Sequence, residues 1–281
     1  MRAELHCFSW CEFESDEVEM MEFLGGEVAF FTSRCPSRVT SPNDDAACLV
    51  EVSGGRGLLA IADGVGGQAS GYEAARCVIE SLVESCFDLE LDKDNESRGL
   101  RSEVLDAIEF ANREILNWGI GAATTLTAVE LAGEQFRHFH VGDSAALVTS
   151  NRGNIKFATI GHAPIAQAVE SGLLDEEEAL GHEDNNLITN CLGSADLKVE
   201  IGLFQSLAVR DTLLVASDGL FDNVSREQVA RTVCKGELRT QVSRLVDIAR
   251  KRMTCEAMGF SGSLPGKEDD LTLICFRPSR K

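Results

Sequence analysis

The chain has 281 residues, 44% of them hydrophobic and 26% charged, the make-up of an ordinary globular protein and not of a disordered, collagenous or membrane chain. Twenty-six basic against 46 acidic residues leave a formal charge of −20, which repels phosphate backbones and anionic lipid and so argues against nucleic acid or a membrane surface as partner. The ten cysteines form no C-x-x-C pair and no regular spacing, so neither a zinc cage nor a disulfide framework is expected.

Residues 1–26 combine a short apolar stretch, an acidic run from Glu12 to Glu22, and Gly25-Gly26; they read as an N-terminal acidic arm. No basic region followed by an apolar core opens the chain, and no apolar run approaches the ~20 residues of a membrane helix. The expected compartment is a reducing cytosol, and the localisation cytoplasmic. Short β segments follow at 27–31, 46–52 and 57–62, the last two forming a hairpin across Ser53-Gly54-Gly55. Ser70-Gly71-Tyr72-Glu73 is a capping-box pattern. Tyr72, Ala75, Ile79, Leu82, Val83 and Cys86 then recur at helical spacing to a helix end near Phe87. A charged connection spans Asp88 to Gly99, and Val104, Ile108, Ala111, Ile115 and Trp118 mark a second helix packed beside the first.

Strand-like segments at 122–131, 135–141, 145–150 and 155–159, with tight turns at Gly133-Glu134 and Gly142-Asp143-Ser144, read as an antiparallel meander. A flap insertion at about 164–195, acidic around Asp175 to Glu178, interrupts the β pattern. Strands at 197–204 and 212–217, helices at 225–234 and 239–258, and a final strand at 271–276 complete the chain. The tight turns and the helices in consecutive pairs predict antiparallel sheets flanked by helix layers, because βαβ alternation is absent.

Aspartates recur at strand ends. The strand through Ala62 stops at Asp63-Gly64, and that through Ser217 at Asp218-Gly219; Asp44 and Asp45 precede one strand start, Asp269 and Asp270 another, and Asp143 sits in a turn. Antiparallel pairing of 46–52 with 57–62 brings Asp45 beside Asp63, and pairing of 212–217 with 271–276 brings Asp218 beside Asp269. Like charges so placed repel unless cations lie between them. Oxygen donors without histidine or cysteine favour Mg²⁺ or Mn²⁺.

In chain order stand Pro36-Ser37-Arg38-Val39, Asn43-Asp44-Asp45-Ala46, Ala62-Asp63-Gly64-Val65-Gly66-Gly67, Gly121-Ala122-Ala123-Thr124-Thr125, Val141-Gly142-Asp143-Ser144, Ala216-Ser217-Asp218-Gly219-Leu220 and Glu268-Asp269-Asp270-Leu271-Thr272. This succession resembles the type 2C (PPM) metal-dependent serine/threonine protein phosphatases over roughly residues 27–277. The resemblance implies an α+β fold, a four-layer α-β-β-α sandwich of two antiparallel sheets flanked by helix pairs, with residues 27–281 as the catalytic domain. It further implies two Mg²⁺ or Mn²⁺ ions bridged by Asp63, one completed by Asp218 and Asp269, the other bound by the Gly64 carbonyl. Asp45 acts through a metal-bound water. Asp44, one methylene shorter than the glutamate of many members, joins the metal set through a water, and Asp143 with Asp218 matches the place of a third, weaker ion.

Arg38 would grip the substrate phosphate, with Arg34 as its rival. The implied reaction is hydrolysis of phosphoserine and phosphothreonine in proteins by a metal-activated bridging water, without a phosphoenzyme, on a phosphorylated protein substrate by a monomer. Val65 stands where some relatives carry a histidine proposed as general acid, and His162 is a candidate for that duty beside its structural reading. Val65 and the short Asp44 also motivate a second class, a catalytically silent phosphoprotein-binding module.

Overall fold

The computed structural model describes residues 6–38, 40–65, 70–91, 99–180, 182, 184, 187–257 and 266–279. In chain order these form β1 (Cys7–Cys11), β2 (Glu19–Phe23), β3 (Gly26–Ser33), β4 (Asp45–Val52), β5 (Arg56–Asp63), α1 (Gly71–Leu91) and α2 (Leu100–Trp118). Next come β6 (Leu126–Ala132), β7 (Gln135–Val141), β8 (Ala145–Thr149), β9 (Ile155–Ala158), α3 (Pro164–Glu170) and α4 (Glu176–Ala179). The chain continues through β10 (Glu200–Ile201), β11 (Gln205–Ser206), β12 (Thr212–Ala216), α5 (Asp218–Phe221), α6 (Arg226–Val233), α7 (Leu238–Ala257) and β13 (Leu271–Pro278). Gly66 and Gly67 of the first aspartate loop, and residues 92–98 of the charged connection, lie outside the described residues.

Two antiparallel sheets result. One runs β1-β4-β5-β6-β7-β10, with β11 also on β7, and the other β2-β3-β13-β12-β8-β9. Side chains alternate along each strand, so every central strand feeds two cores. In β4, Ala46, Cys48 and Val50 pack under α1 and α2 with Leu58, Ala60 and Ala62 of β5. Ala47, Leu49, Leu59 and Ile61 face the other sheet, where they meet Phe30, Leu213, Val215, Ile274 and Phe276. Ala29, Phe31, Leu214, Ala216, Leu273 and Cys275 complete the third layer with α6 and α7. These layers make the expected α-β-β-α sandwich. Each large apolar side chain fully buried in them contributes about 1.5–3 kcal/mol.

Three expectations change. The segment read as an appended arm is woven into both sheets: β1 pairs with β4 from Cys7↔Val50 to Cys11↔Ala46, and β2 pairs with β3. Trp10 stacks on Phe30 with ring centroids 3.9 Å apart, so the few apolar residues of this acidic stretch anchor it. Next, the supposed meander is split. β6 and β7 belong to one sheet and β8 and β9 to the other, and Gly142-Asp143-Ser144 is the crossing between them. Gly142 makes that crossing at φ +100°, and a Cβ there would lie 2.6 Å from the Thr125 side chain. Both sheets are apolar on both faces, so periodicity alone cannot say which sheet a strand joins. Last, the strand expected over 197–204 shrinks to the two-residue β10, and a short helix, α5, follows β12 where none was expected.

Candidate metal centre

The alternation that builds the inter-sheet core also builds the site. Residues 59 and 61 of β5 face the opposite sheet, so residue 63 does too, at the strand's last position. By the same parity Asp45 opens β4 on that side; it is the register partner of Asp63. From the other sheet, β12 pairs with β13 from Leu213↔Phe276 to Ala216↔Leu273, which sets Asp218 beside Asp269. A Cβ on Gly219 would lie 1.9 Å from the Asp270 carbonyl oxygen, so only glycine lets the two loops close. The inter-sheet layer is thus apolar in its middle and acidic at one edge.

Asp63, Gly64, Asp143, Asp218 and Asp269 line one cavity of about 270 Å³, together with Val65, Thr125, Ile188 and Lys267. Asp45 lies buried behind it, its Oδ2 accepting from Ser217 Oγ at 2.8 Å. The Thr124-Thr125 motif fixes the end of β5. Thr124 Oγ1 donates to the Asp63 carbonyl at 2.8 Å, the Asp63 N–H donates to Thr125 Oγ1 at 3.2 Å, and Thr125 Oγ1 shares a 2.7 Å hydrogen bond with Ser144 Oγ beside Asp143.

Two cations already face these acids. Lys267 Nζ lies 2.5 Å from Asp218 Oδ2, 2.9 Å from Asp222 Oδ2 and 3.1 Å from Asp269 Oδ2. Arg38 donates from Nη1 to Asp44 Oδ2 at 3.0 Å and from Nη2 to Asp269 Oδ1 at 2.9 Å. Arg34 instead pairs with Glu14 at 3.2 Å, so the structure separates the rival arginines. His162 is off the cavity. Its N–H donates to the Gly142 carbonyl at 2.7 Å, and its Nδ1 accepts from the Gly142 N–H at 3.0 Å. These two bonds hold the turn that carries Asp143, in keeping with the structural reading of His162.

Burial first, then Asp45, Asp218, Asp269 and Asp143, push the Asp63 carboxyl well above the usual carboxylate range. Burial and Asp218 do the same to Asp143. Burial also opposes ionisation of Asp218, but Lys267 prevails and holds it below its ordinary value. The Oδ1 atoms of Asp45 and Asp143 are buried with no hydrogen-bond partner. Orphaned carboxylate oxygens and mutually repelling acids are what a hard divalent cation with oxygen ligands would satisfy, so the donor set fits Mg²⁺ or Mn²⁺. Among the described residues no three His, Cys, Asp or Glu side chains are placed to hold a metal ion as they stand; Lys267 and Arg38 pair with the acids instead.

Burial and Asp218 push Asp269 up to about 6 and Asp222 up to about 7. A carboxyl whose folded pKa exceeds its unfolded value near ~3.9 stabilises the fold fully below that value, and the contribution is lost as pH rises through the folded pKa. Asp218 runs oppositely, its contribution being lost only as pH falls below this window. Metal-free protein is therefore expected to lose about 5 °C of Tm between about pH 5 and about pH 8. Calorimetry in EDTA across that range checks it; a flat or rising profile contradicts it.

Asp270 was not singled out in the sequence beyond its place in a motif. Its Oδ1 accepts from the Cys35 N–H at 2.5 Å and its Oδ2 from the Asp44 N–H at 2.7 Å, which ties down the loop carrying Arg38. Asp270→Ala orphans both donors and is expected to cost about 2–4 kcal/mol in denaturant unfolding. A loss under about 0.5 kcal/mol refutes this role.

The protein phosphatase 2C profile matches residues 36–251, well over half the chain. The chain belongs to the protein phosphatase 2C family. The match ends before Asp269, so that residue's place rests on the β12–β13 pairing. Among relatives of this phosphatase 2C chain, the serine/threonine protein phosphatase PstP of Mycobacterium tuberculosis is 30% identical over 217 residues, 75% of this chain but 40% of PstP. The chain thus matches less than half the length of that relative. The serine/threonine phosphatase of S. agalactiae superposes with TM-score 0.71 at 27% identity, covering 90% of this chain and 99% of that one. The catalytic domain of PstP, solved with 2 manganese ions, superposes with TM-score 0.67 at 26% identity, covering 89% of this chain and 96% of that one.

Proposed function

We propose that this chain is a metal-dependent hydrolase of phosphoserine and phosphothreonine in proteins. The observation that carries the reading is the arrival of Asp63, Asp143, Asp218 and Asp269 from both sheets in one cavity, with the Arg38 guanidinium on Asp269 at its edge. Two Mg²⁺ or Mn²⁺ ions held by Asp63, the Gly64 carbonyl, Asp218 and Asp269, with Asp44 and Asp45 acting through waters and a third ion at Asp143 and Asp218, would supply Lewis acidity and lower the pKa of water.

The protein's own residues do the rest. Arg38 presents a planar fork suited to two oxygens of a phosphoryl group, whose charge is the main demand in a loose transition state. The Asp63 main chain is held by the Thr124 and Thr125 hydroxyls and the Thr125 N–H, which fixes the strand end from which its carboxylate projects. Among the described residues that line the cavity, the hydroxyl Thr125 Oγ1 is engaged by Ser144 and the Asp63 N–H, and none is a cysteine or histidine. In this reading water attacks phosphorus directly, and no phosphoenzyme forms. Among the described residues, no helix is long and apolar enough to cross a membrane.

The test is phosphate release from matched phosphoserine, phosphothreonine and phosphotyrosine peptides with Mn²⁺, Mg²⁺ or EDTA. Metal-dependent release from the first two, well above the third, is the expected result. Tight peptide binding without release would replace the hydrolase by a silent phosphoprotein-binding module.

A further inference from the structure

Lys267 belongs to none of the motifs that define the site, yet it makes the most concentrated set of charge contacts in it. An ammonium has three donors and no acceptor, and here each of three carboxylates, on Asp218, Asp222 and Asp269, lies within 3.1 Å of the nitrogen. Two of those three residues are also proposed metal ligands. The backbone beneath the side chain is fixed separately, since Asn223 Nδ2 donates to the Lys267 carbonyl at 2.9 Å and to the Gly219 carbonyl at 2.9 Å. The polar head can therefore move on its four-carbon stem while the main chain stays.

We propose that Lys267 is a tethered cation that holds the acid cluster together without metal and has to be displaced before divalent ions bind, so that it sets the metal affinity of this site. The inference rests on the metal-dependent reading above. An ammonium 2.5 Å from Asp218 Oδ2 and a divalent ion about 2.1 Å from the same oxygen would stand only about 4 Å apart and compete for one carboxylate, and their charges repel. Metal binding therefore includes the cost of moving Lys267 off Asp218 and Asp269. Asp222, outside the proposed ligand set, remains as the partner to which the displaced head can hold. The cluster is thus a metal site with a built-in competitor, loaded only above a threshold concentration of free metal.

Isothermal titration of Mn²⁺ into metal-stripped wild type, Lys267→Met and Lys267→Arg tests this. Lys267→Met keeps the stem and removes the charge; it should bind Mn²⁺ about tenfold tighter or more. Its Tm in EDTA should fall below that of wild type, while the two coincide with saturating Mn²⁺. Lys267→Arg keeps a competing charge and should stay within about threefold of wild-type affinity. If Lys267→Met purifies only with metal bound, Mn²⁺ release into a chelator, followed by electron paramagnetic resonance, gives the same order of affinities. Equal or weaker Mn²⁺ binding by Lys267→Met overturns the proposal. Failure of wild type itself to bind Mn²⁺ at millimolar concentration instead overturns the metal reading on which it rests.

Discussion

Replacing Asp63 by asparagine is expected to abolish Mn²⁺-dependent hydrolysis of p-nitrophenyl phosphate, lowering kcat roughly a thousandfold or more, while making the metal-free protein more stable. The two effects share one cause. Asp63 faces like charge on several sides, with Asp45, Asp218, Asp269 and Asp143 all opposing its ionisation after burial itself. Asparagine keeps the shape and leaves the backbone contacts to Thr124 and Thr125 in place. It removes the negative charge that makes the position useful only when cations are present. A gain in Tm in EDTA combined with lost turnover is the signature of a residue retained for function at the expense of stability. Lost turnover with a lower Tm would mean that the fold had failed, and turnover within tenfold of wild type would remove Asp63 from the centre.

The acids that meet were legible because strand pairing is directional. A hairpin closed by Ser53-Gly54-Gly55 forces the start of β4 and the end of β5 to one edge, and the observed Asp45↔Asp63 register is that expectation realised. Pairing of β12 with β13 does the same for Asp218 and Asp269. What escaped depends on reach or on choice between equivalent layers. Lys267 is a residue of no special pattern whose long side chain happens to extend to three carboxylates. Asp270 works by accepting from two backbone N–H groups more than two hundred residues away in sequence. The split of β7 from β8 was hidden because a strand buried on both faces looks alike in either sheet. β1 and β2 were hidden by exposed acids such as Glu12 and Glu22 around the few apolar residues, Trp10, Val18 and Phe23, that are buried.

The second large effect concerns the phosphate. Arg38→Ala is expected to lower kcat/KM for phosphopeptides about a hundredfold, whereas Arg34→Ala should change it by less than about threefold. Arg38 spans Asp44 and Asp269 with separate nitrogens, so its fork is held against an acid that lines the cavity. A lysine there can meet one oxygen but not two, and Arg38→Lys should recover less than about a tenth of the lost efficiency. The loss is expected in both KM and kcat, because charge on the phosphoryl oxygens is present in the bound substrate and redistributed in the transition state. Arg34 is tied to Glu14, with both side chains substantially exposed at 40% and 38%, and a pair so hydrated has little hold on a ligand in the cavity. Equal losses for the two alanine variants would return the phosphate to Arg34 or to a shared electrostatic field. A loss confined to Arg38, with Mn²⁺ affinity unchanged, places its guanidinium on the substrate and not on the metals.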